Sequence, residues 1–313
     1  MATTSLSAAR QFGTLIGLVV LCIVLWALTP HFLTVSNLLN VAQQTSINAI
    51  VAVGMTFVII SGGIDLSVGS IVALAGVVLG TLLQQGQPVV VAVSAAIAVG
   101  TACGLLNGAL VSWGGLPPFI VTLGMMSVAR GAALVFTEGR PVSGFEPGFR
   151  SLATGSIGLL PAPVIITVAV YLLAHVVLTR TTFGRYVYAM GGNEEATRLS
   201  GVNVRLQKMS IYGVSGLMSA FATIILTARL NSAQPIAGMM YELDAIAATV
   251  IGGTSLMGGE GTLAGTLVGA LIMGVLRNGL NLLGVSSFLQ QIVIGAVIVG
   301  AVLVDTVLKR HRV

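Results

Sequence analysis

Ten apolar stretches divide the chain, at roughly residues 12–29, 41–61, 67–84, 89–112, 118–137, 161–179, 209–230, 243–257, 262–284 and 287–307. A helix needs about 20 apolar residues to cross the hydrocarbon core, so the stretches predict ten spans of a membrane bundle. The stretch at 243–257 is short enough to be a broken or re-entrant helix. The first, Phe12 to Leu28 behind Arg10, is too long for the core of a signal peptide and lacks a small-x-small site after it; it reads as an uncleaved span. An even count puts both ends on one side. Arg10, the tail residues Lys309, Arg310 and Arg312, and the 180–208 loop share that side. The loop holds Arg180, Arg185, Arg198, Arg205 and Lys208, which makes the shared side cytoplasmic. In the 138–160 segment Glu138 and Glu146 balance Arg140 and Arg150, and this reads as the main external loop.

Composition excludes a soluble domain: 56% of the 313 residues are hydrophobic, 7% are charged, and the mean hydropathy is +1.02. The net charge of +5 comes from 14 basic residues scattered along the chain, so it reports orientation rather than nucleic-acid binding. Cys22 and Cys103 sit inside apolar stretches and say little about redox compartment. Among the 40 glycines, Gly100, Gly104 and Gly108, then Gly261, Gly265 and Gly269, and the pair Gly76 and Gly80 recur every four residues. Such ladders let two helix backbones approach, either within the chain or across a dimer seam. Gly62-Gly63, Gly69 and Val72 are echoed by Gly258-Gly259, Gly265 and Val268 at an offset of 196 residues, as in a duplicated helix connection. The whole chain, 1–313, reads as one transmembrane domain with a cytoplasmic loop at 180–208.

Charged residues inside a membrane are costly, and each is a functional candidate. Asp65 lies in Ser61-Gly62-Gly63-Ile64-Asp65-Leu66-Ser67-Val68-Gly69-Ser70. Gly62-Gly63 breaks the second helix, and Asp65 with Ser67 is expected to cap the next by accepting backbone N–H groups; a direct role with a solute is the alternative. An irregular backbone at this depth must face protein or a watery cavity, so Ser61, Asp65 and Ser67 are placed near a path. A second polar group, Asn231, Ser232, Gln234, Glu242 and Asp244, lies toward the external side. Its acids suit a helix N-terminus, and its amides and carboxyls suit the hydroxyls of a sugar. In the 180–208 loop Asn193 is a good N-cap, Glu194 and Glu195 follow it, Glu194 and Arg198 are spaced i, i+4, and Gly201 suits a left-handed C-terminus. These predict a helix of about two turns outside the membrane, suited to docking a partner.

No Gly-x4-Gly-Lys-Ser/Thr occurs, and Lys208 and Lys309 are the only lysines, so any ATP is expected on a partner. His31, His175 and His311 are scattered, without metal spacing. Gly213-Val214-Ser215-Gly216 matches the serine motif of intramembrane proteases, but those carry their histidine after the serine, whereas His175 precedes it.

The segments Ser61 to Ser70 and Ile251-Gly252-Gly253-Thr254-Ser255-Leu256-Met257-Gly258-Gly259 resemble the permease subunits of bacterial ABC importers for simple sugars. The loop resembles the importer consensus at Glu195-Ala196-Thr197, Gly201 and Ile211, departing from it at Thr197 and at Gly213-Val214. Ser232 to Pro235, Tyr241 to Ala248 and Asn278 to Ser287 are similar to the ribose-carrying branch, which makes ribose the first expected substrate. The resemblance implies an all-α polytopic bundle of about ten transmembrane helices with both termini cytoplasmic. It also implies a homodimer in the bacterial inner membrane, surrounded by lipid, with no nucleic acid and no enzyme activity of its own. An ABC ATPase subunit would bind ATP and Mg, and a periplasmic sugar-binding protein would deliver the sugar. On this reading Asn193, Glu194, Glu195, Ala196, Thr197, Arg198 and Gly201 form the coupling helix to the ATPase. No cofactor or metal is expected on this chain. An ion-coupled secondary transporter, with Asp65 in its glycine break, is the competing class.

Overall fold

The computed structural model describes residues 2–310, with side chains from 13 to 300 and at 302 and 303. Of the basic residues used to orient the chain, Arg312 lies outside this range, as do the side chains of Arg10, Lys309 and Arg310. The helices are α1 (Ala2–Leu28), α2 (Val35–Ile60), α3 (Val68–Gln84), α4 (Val89–Ser112), α5 (Pro118–Thr137), α6 (Pro147–Thr154) and α7 (Ala162–Arg180). They continue as α8 (Thr182–Gly192), α9 (Glu194–Leu199), α10 (Val204–Leu230), α11 (Tyr241–Ile251), α12 (Leu263–Leu282) and α13 (Ser287–Arg310). The strands are two-residue pairings: β1 (Val142–Ser143) with β4 (Ser232–Ala233), and β2 (Ser156–Ile157) with β3 (Leu160–Pro161), both antiparallel. The fold is all-α. Each of the ten predicted stretches falls on a helix, and six of these helices are long and apolar enough to cross a membrane.

α2 and α10 form the centre. In their most apolar windows 83% and 72% of residues are buried, against 22% in α4 and α7, whose outer faces remain apolar and exposed. A helix hydrophobic all round belongs inside the bundle, and one with an apolar outer face belongs against lipid. α2 carries no charged residue between Val35 and Ile60, and its core residues Ile50, Val53, Phe57 and Ile60 pack on α10, α7 and α8.

The glycine ladders are spent inside the chain. A Cβ at Gly104 would run into the Tyr212 carbonyl oxygen, and one at Gly108 would stand 2.8 Å from the Met209 carbonyl oxygen, so α4 lies backbone to backbone on α10. Gly265 meets the Gly252 carbonyl and Gly269 that of Ala248, which fits α12 against α11. Gly80 faces Ala233 and Phe145. Of the two readings of the ladders, packing within the chain is the one observed.

The external segment is tied down at Asn231, which ends α10 with φ +50°, a left-handed cap that asparagine tolerates. Its side chain accepts the Phe145 N–H at 2.9 Å, its carbonyl accepts that of Gly144, and β1 pairs with β4 in register Val142 with Ala233.

The echo at 196 residues extends from the glycines to the elements. Shifted by that offset, the starts of α3 and α4 fall within two residues of those of α12 and α13. Gly62 and Gly258 share a left-handed backbone, φ +83° and +84°. Helix, break, helix and helix recur in order.

Close backbone packing of α4 on α10 predicts that Gly104→Val lowers stability by about 1–3 kcal/mol, the usual cost of overfilling a packed interface. Gly131→Ala, in open space on α5, should be neutral or slightly stabilising. Thermal unfolding of the purified protein in detergent separates the two; equal midpoints would refute the packing.

Candidate functional site

α2 stops at Ile60 because Gly62 turns left-handed and the chain runs without helix through Ser67. Its last turn is closed locally: the Gly62 N–H donates to the Ile59 carbonyl and that of Gly63 to Val58, and Ser61 Oγ donates back to Val58. Asp65 is fully buried. Its Oδ1 accepts the Ser67 N–H at 2.9 Å and the Ser67 hydroxyl at 2.6 Å, and its Oδ2 accepts the Ser215 hydroxyl from α10 at 2.8 Å. Asn107 on α4 donates to Ser67 Oγ at 2.9 Å. The expected cap is thus half right: Asp65 satisfies a backbone N–H at the start of α3, whereas the Ser67 side chain caps nothing. Its hydroxyl donates to the Asp65 carboxyl and its oxygen accepts from Asn107, so the oxygen that would cap α3 is directed at α4 instead.

The second break lies at 234–240, before α11. Arg130 of α5 reaches in and donates through Nη1 to the carbonyls of Pro235 (2.8 Å) and Ala237 (2.7 Å), satisfying backbone that has no helix of its own. Gln234 closes a turn through its carbonyl, which accepts the Ala237 N–H. Gly238 and Gly69 touch backbone to backbone, each occupying the space a Cβ on the other would need. The first turns of α3 and α11 therefore start side by side. Glu242 lies at this contact, Oε2 being 2.7 Å from where a Gly69 Cβ would be. Asp244, also in the first turn of α11, is 2% exposed. Both of its oxygens accept from Arg277 Nη2 of α12, at 2.9 and 2.7 Å, and Oδ2 also accepts from Asn48 of α2 at 3.1 Å. Two helix N-termini at one place concentrate partial positive charge, and the carboxyls of Asp65, Glu242 and Asp244 gather there as that field favours. Next to Asp244, α11, α12 and α13 enclose a cavity of about 420 Å3.

α11 is shorter than the apolar stretch predicted it to be, ending at Ile251, because Gly252 packs on Gly265 and Gly253 turns left-handed. The residues 252–262 return to α12 without helix, and the Gly259 N–H donates to the Ile60 carbonyl at 2.8 Å.

The 180–208 loop folds into two helices where one was expected. Thr181 caps α8 by accepting the Gly184 N–H, and Asn193 caps α9 by accepting that of Ala196 at 2.8 Å. Thr197 is buried and donates to the Asn193 carbonyl, and Gly201 is left-handed with φ +85°. The expected Glu194–Arg198 pair is replaced. Arg198 grips both oxygens of Glu195, one turn back, at 3.0 and 2.6 Å, while Glu194 reaches Lys208 on α10 at 2.7 Å. The hydrogen bond from Arg198 holds the Glu195 carboxyl below the usual range, so the pair is ionised at neutral pH. Gly191, at the end of α8, lies on the Ile60 carbonyl and the Gly259 N–H; Gly258 lies beside Gly62, and the Tyr188 hydroxyl donates to the Gly261 carbonyl at 2.8 Å. Both glycine breaks thus meet the loop at one junction. Sequence reading missed α8 as a helix, the residues Arg130, Asn107, Asn48 and Arg277, and the bond of Ser215 to Asp65, since partners distant in sequence leave no local signal. Among the described residues no group of three His, Cys, Asp or Glu could hold a metal.

A bundle with apolar outer helices, two broken helices meeting inside it and a capped loop unit against the breaks is the build of a transport protein. The family described as the permease component of a branched-chain amino acid transport system matches residues 37–302, and the chain belongs to that family of permease components. The ribose import permease protein RbsC of Escherichia coli K12 is 50% identical over 317 residues, covering 97% of this chain and 99% of that protein. The protein of the same name in Bacillus subtilis is 48% identical, covering 95% of this chain and 92% of its own. The D-allose transport system permease protein AlsC of Escherichia coli is 38% identical over 96% of this chain and 93% of that protein. No solved structure matches.

Asp65 acts here as a hydrogen-bond acceptor. Asp65→Asn keeps an oxygen for the Ser67 bonds, and Ser215 can rotate to accept from the new amide, so the cost should be about 1 kcal/mol; Asp65→Leu orphans buried hydroxyls and should cost about 3 kcal/mol or more. Thermal unfolding measures both, and an Asn variant as unstable as the Leu variant would refute that role.

Proposed function

We propose that this chain is the membrane-spanning subunit of an ATP-driven ABC importer that carries a monosaccharide, ribose before others, across the bacterial inner membrane. Two copies form the pathway in the lipid bilayer. A partner ATPase subunit binds ATP and Mg and docks on residues 193–201, and a periplasmic binding protein delivers the sugar to the opposite face. The relatives named for ribose import, alike over nearly the whole chain, support the substrate.

The observation that carries the mechanism is the junction of α8 with the two breaks. α9 shows the surface a partner needs: Leu199 is 77% exposed among the ion pairs of Glu194, Glu195 and Arg198, and Met257, on the adjoining turn, is 83% exposed. Apolar side chains standing out of a charged rim suit a docking face. A push on α9 reaches α8 directly, and at Gly191 no side chain lies between α8 and the carbonyl that ends α2, so little of the displacement is absorbed. The breaks at 61–67 and 252–262 are where the bundle then bends, between arrangements open to either side. Ser61, Asp65 and Ser67 shape the path by holding the first break, and Asn231, Gln234, Glu242 and Asp244 shape it from the 231–244 segment before and at the start of α11. Weak polar contacts suffice in the path because the delivering protein supplies the affinity.

Proteoliposomes holding the permease, its ATPase and its binding protein should take up ribose only with ATP. Uptake by the chain alone, on a proton or sodium gradient, would overturn this reading in favour of a secondary transporter. Glu195→Lys, which sets a second cation beside Arg198, and Gly191→Val, which wedges the junction, should each lower uptake per ATP hydrolysed by about tenfold, within the usual range of coupling energies. Unchanged uptake and unchanged ATPase stimulation in both variants would refute the coupling assignment.

A further inference from the structure

We propose that the cavity of about 420 Å3 between α11, α12 and α13 is a weak monosaccharide subsite on the transport path, with Asp244 and Arg277 at its base and the amides of Asn281, Gln290 and Gln291 along its wall. The proposal rests on the reading of the chain as a monosaccharide permease and adds where the sugar pauses. Three features of the cavity carry it.

The first is charge in the wrong place for lipid. Asp244 is sealed behind Arg277 and Asn48, but the Arg277 side chain is 30% exposed on the cavity side of the pair. Both bonds to Asp244 leave from Nη2, so the donors on Nε and Nη1 are not engaged by that carboxyl. A guanidinium half open inside a spanning bundle needs water or a polar solute against it, since hydrocarbon cannot solvate it. The second is an organised amide wall. Gln290 is 7% exposed, and its Nε2 donates to Asn281 Oδ1 and to the Val285 carbonyl, both at 2.8 Å. That fixes the amide and leaves Gln290 Oε1 as an acceptor held in place. The third is the apolar part of the lining, to which Met240 and Ile294 contribute.

A carboxyl-anchored guanidinium, fixed amides and an apolar face match the two chemistries of a sugar: hydroxyls that donate and accept, and a ring face of C–H groups. The volume lies at the low end for small-molecule sites. The cavity is open at one side, so binding is weak, as passage requires. Its position also ties it to the moving parts. Asp244 lies in the first turn of α11, beside the Gly69–Gly238 contact, and Asn48 links it to α2, so bending at either break reshapes the site.

The test uses the complete transporter in proteoliposomes. Gln291→Met keeps the length of the side chain and removes its hydrogen bonds, and should lower ribose uptake per ATP hydrolysed by about three- to tenfold, the worth of a hydrogen bond or two. In a background with Cys22→Ser and Cys103→Ser, Gln291→Cys should react with a charged, water-borne methanethiosulfonate reagent, and millimolar ribose should slow that reaction by about threefold or more. Unchanged uptake per ATP in Gln291→Met overturns the proposal. So does a Gln291→Cys variant whose new thiol fails to react, as a position covered by lipid or by the second copy would, or one whose rate ribose leaves alone. Failure of the underlying reading looks different: the unmodified transporter would then import no monosaccharide on ATP.

Discussion

Every structural choice in this bundle follows from one constraint: a backbone that leaves the helix inside a membrane must find hydrogen-bond partners within the protein. The chain breaks helix around 61–67, 234–240 and 252–262, and each break is supplied. Ser67 and Asp65 satisfy one another at the first. Arg130 takes two carbonyls of the second. The Ile60 carbonyl, left over at the end of α2, accepts the Gly259 N–H of the third. The first and third breaks are thus joined by that bond, which holds the end of α2 against the turn between α11 and α12.

Glycine makes the arrangement possible by removing what would stand between backbones. At Gly69 and Gly238, at Gly191 and at Gly104 the neighbour occupies the volume of a missing side chain. Contacts of this kind transmit displacement well, because a side chain between two backbones would yield by changing rotamer. The same composition that lets α4 lie backbone to backbone on α10 lets the loop at 180–208 lie directly on the end of α2 and the turn after α11. Large apolar side chains also stand exposed on α4, α5 and α7, the kind of outer face that suits lipid.

Much of this was legible in the sequence, for stated reasons. That each apolar stretch forms a helix follows from hydrophobicity alone, and α9 announces itself through Asn193, the following acids and Gly201, all local signals. What sequence reading lost was whatever depended on distant partners. Ser67 reads as a cap by its position, yet its oxygen accepts from Asn107 on α4, forty residues on. Glu194 has the spacing to pair with Arg198, yet Lys208 on another helix claims it, and Arg198 takes Glu195 instead. The stretch at 243–257 reads as short enough to be broken, yet where its helix stops is set by Gly252 meeting Gly265 across the bundle. The ladders could not disclose whether their partner was this chain or a second copy, since a bare glycine face is the same for both.

The two halves of the molecule meet where the charges do. α3 and α11 begin at a shared backbone contact, so their positive ends face a common region, and the acids there serve both the field and the neighbouring guanidiniums of Arg130 and Arg277. Asp244 is held by Arg277 of α12 and Asn48 of α2, so the start of α11 is tied to both of those helices as well as to α3. On the proposed coupling, the junction at Gly191 moves the end of α2 and the turn after α11 together, and these reach the cavity through the starts of α3 and α11. The glycine contact at 69 and 238 leaves no side chain between these two starts, so a displacement of one is passed to the other with little absorbed.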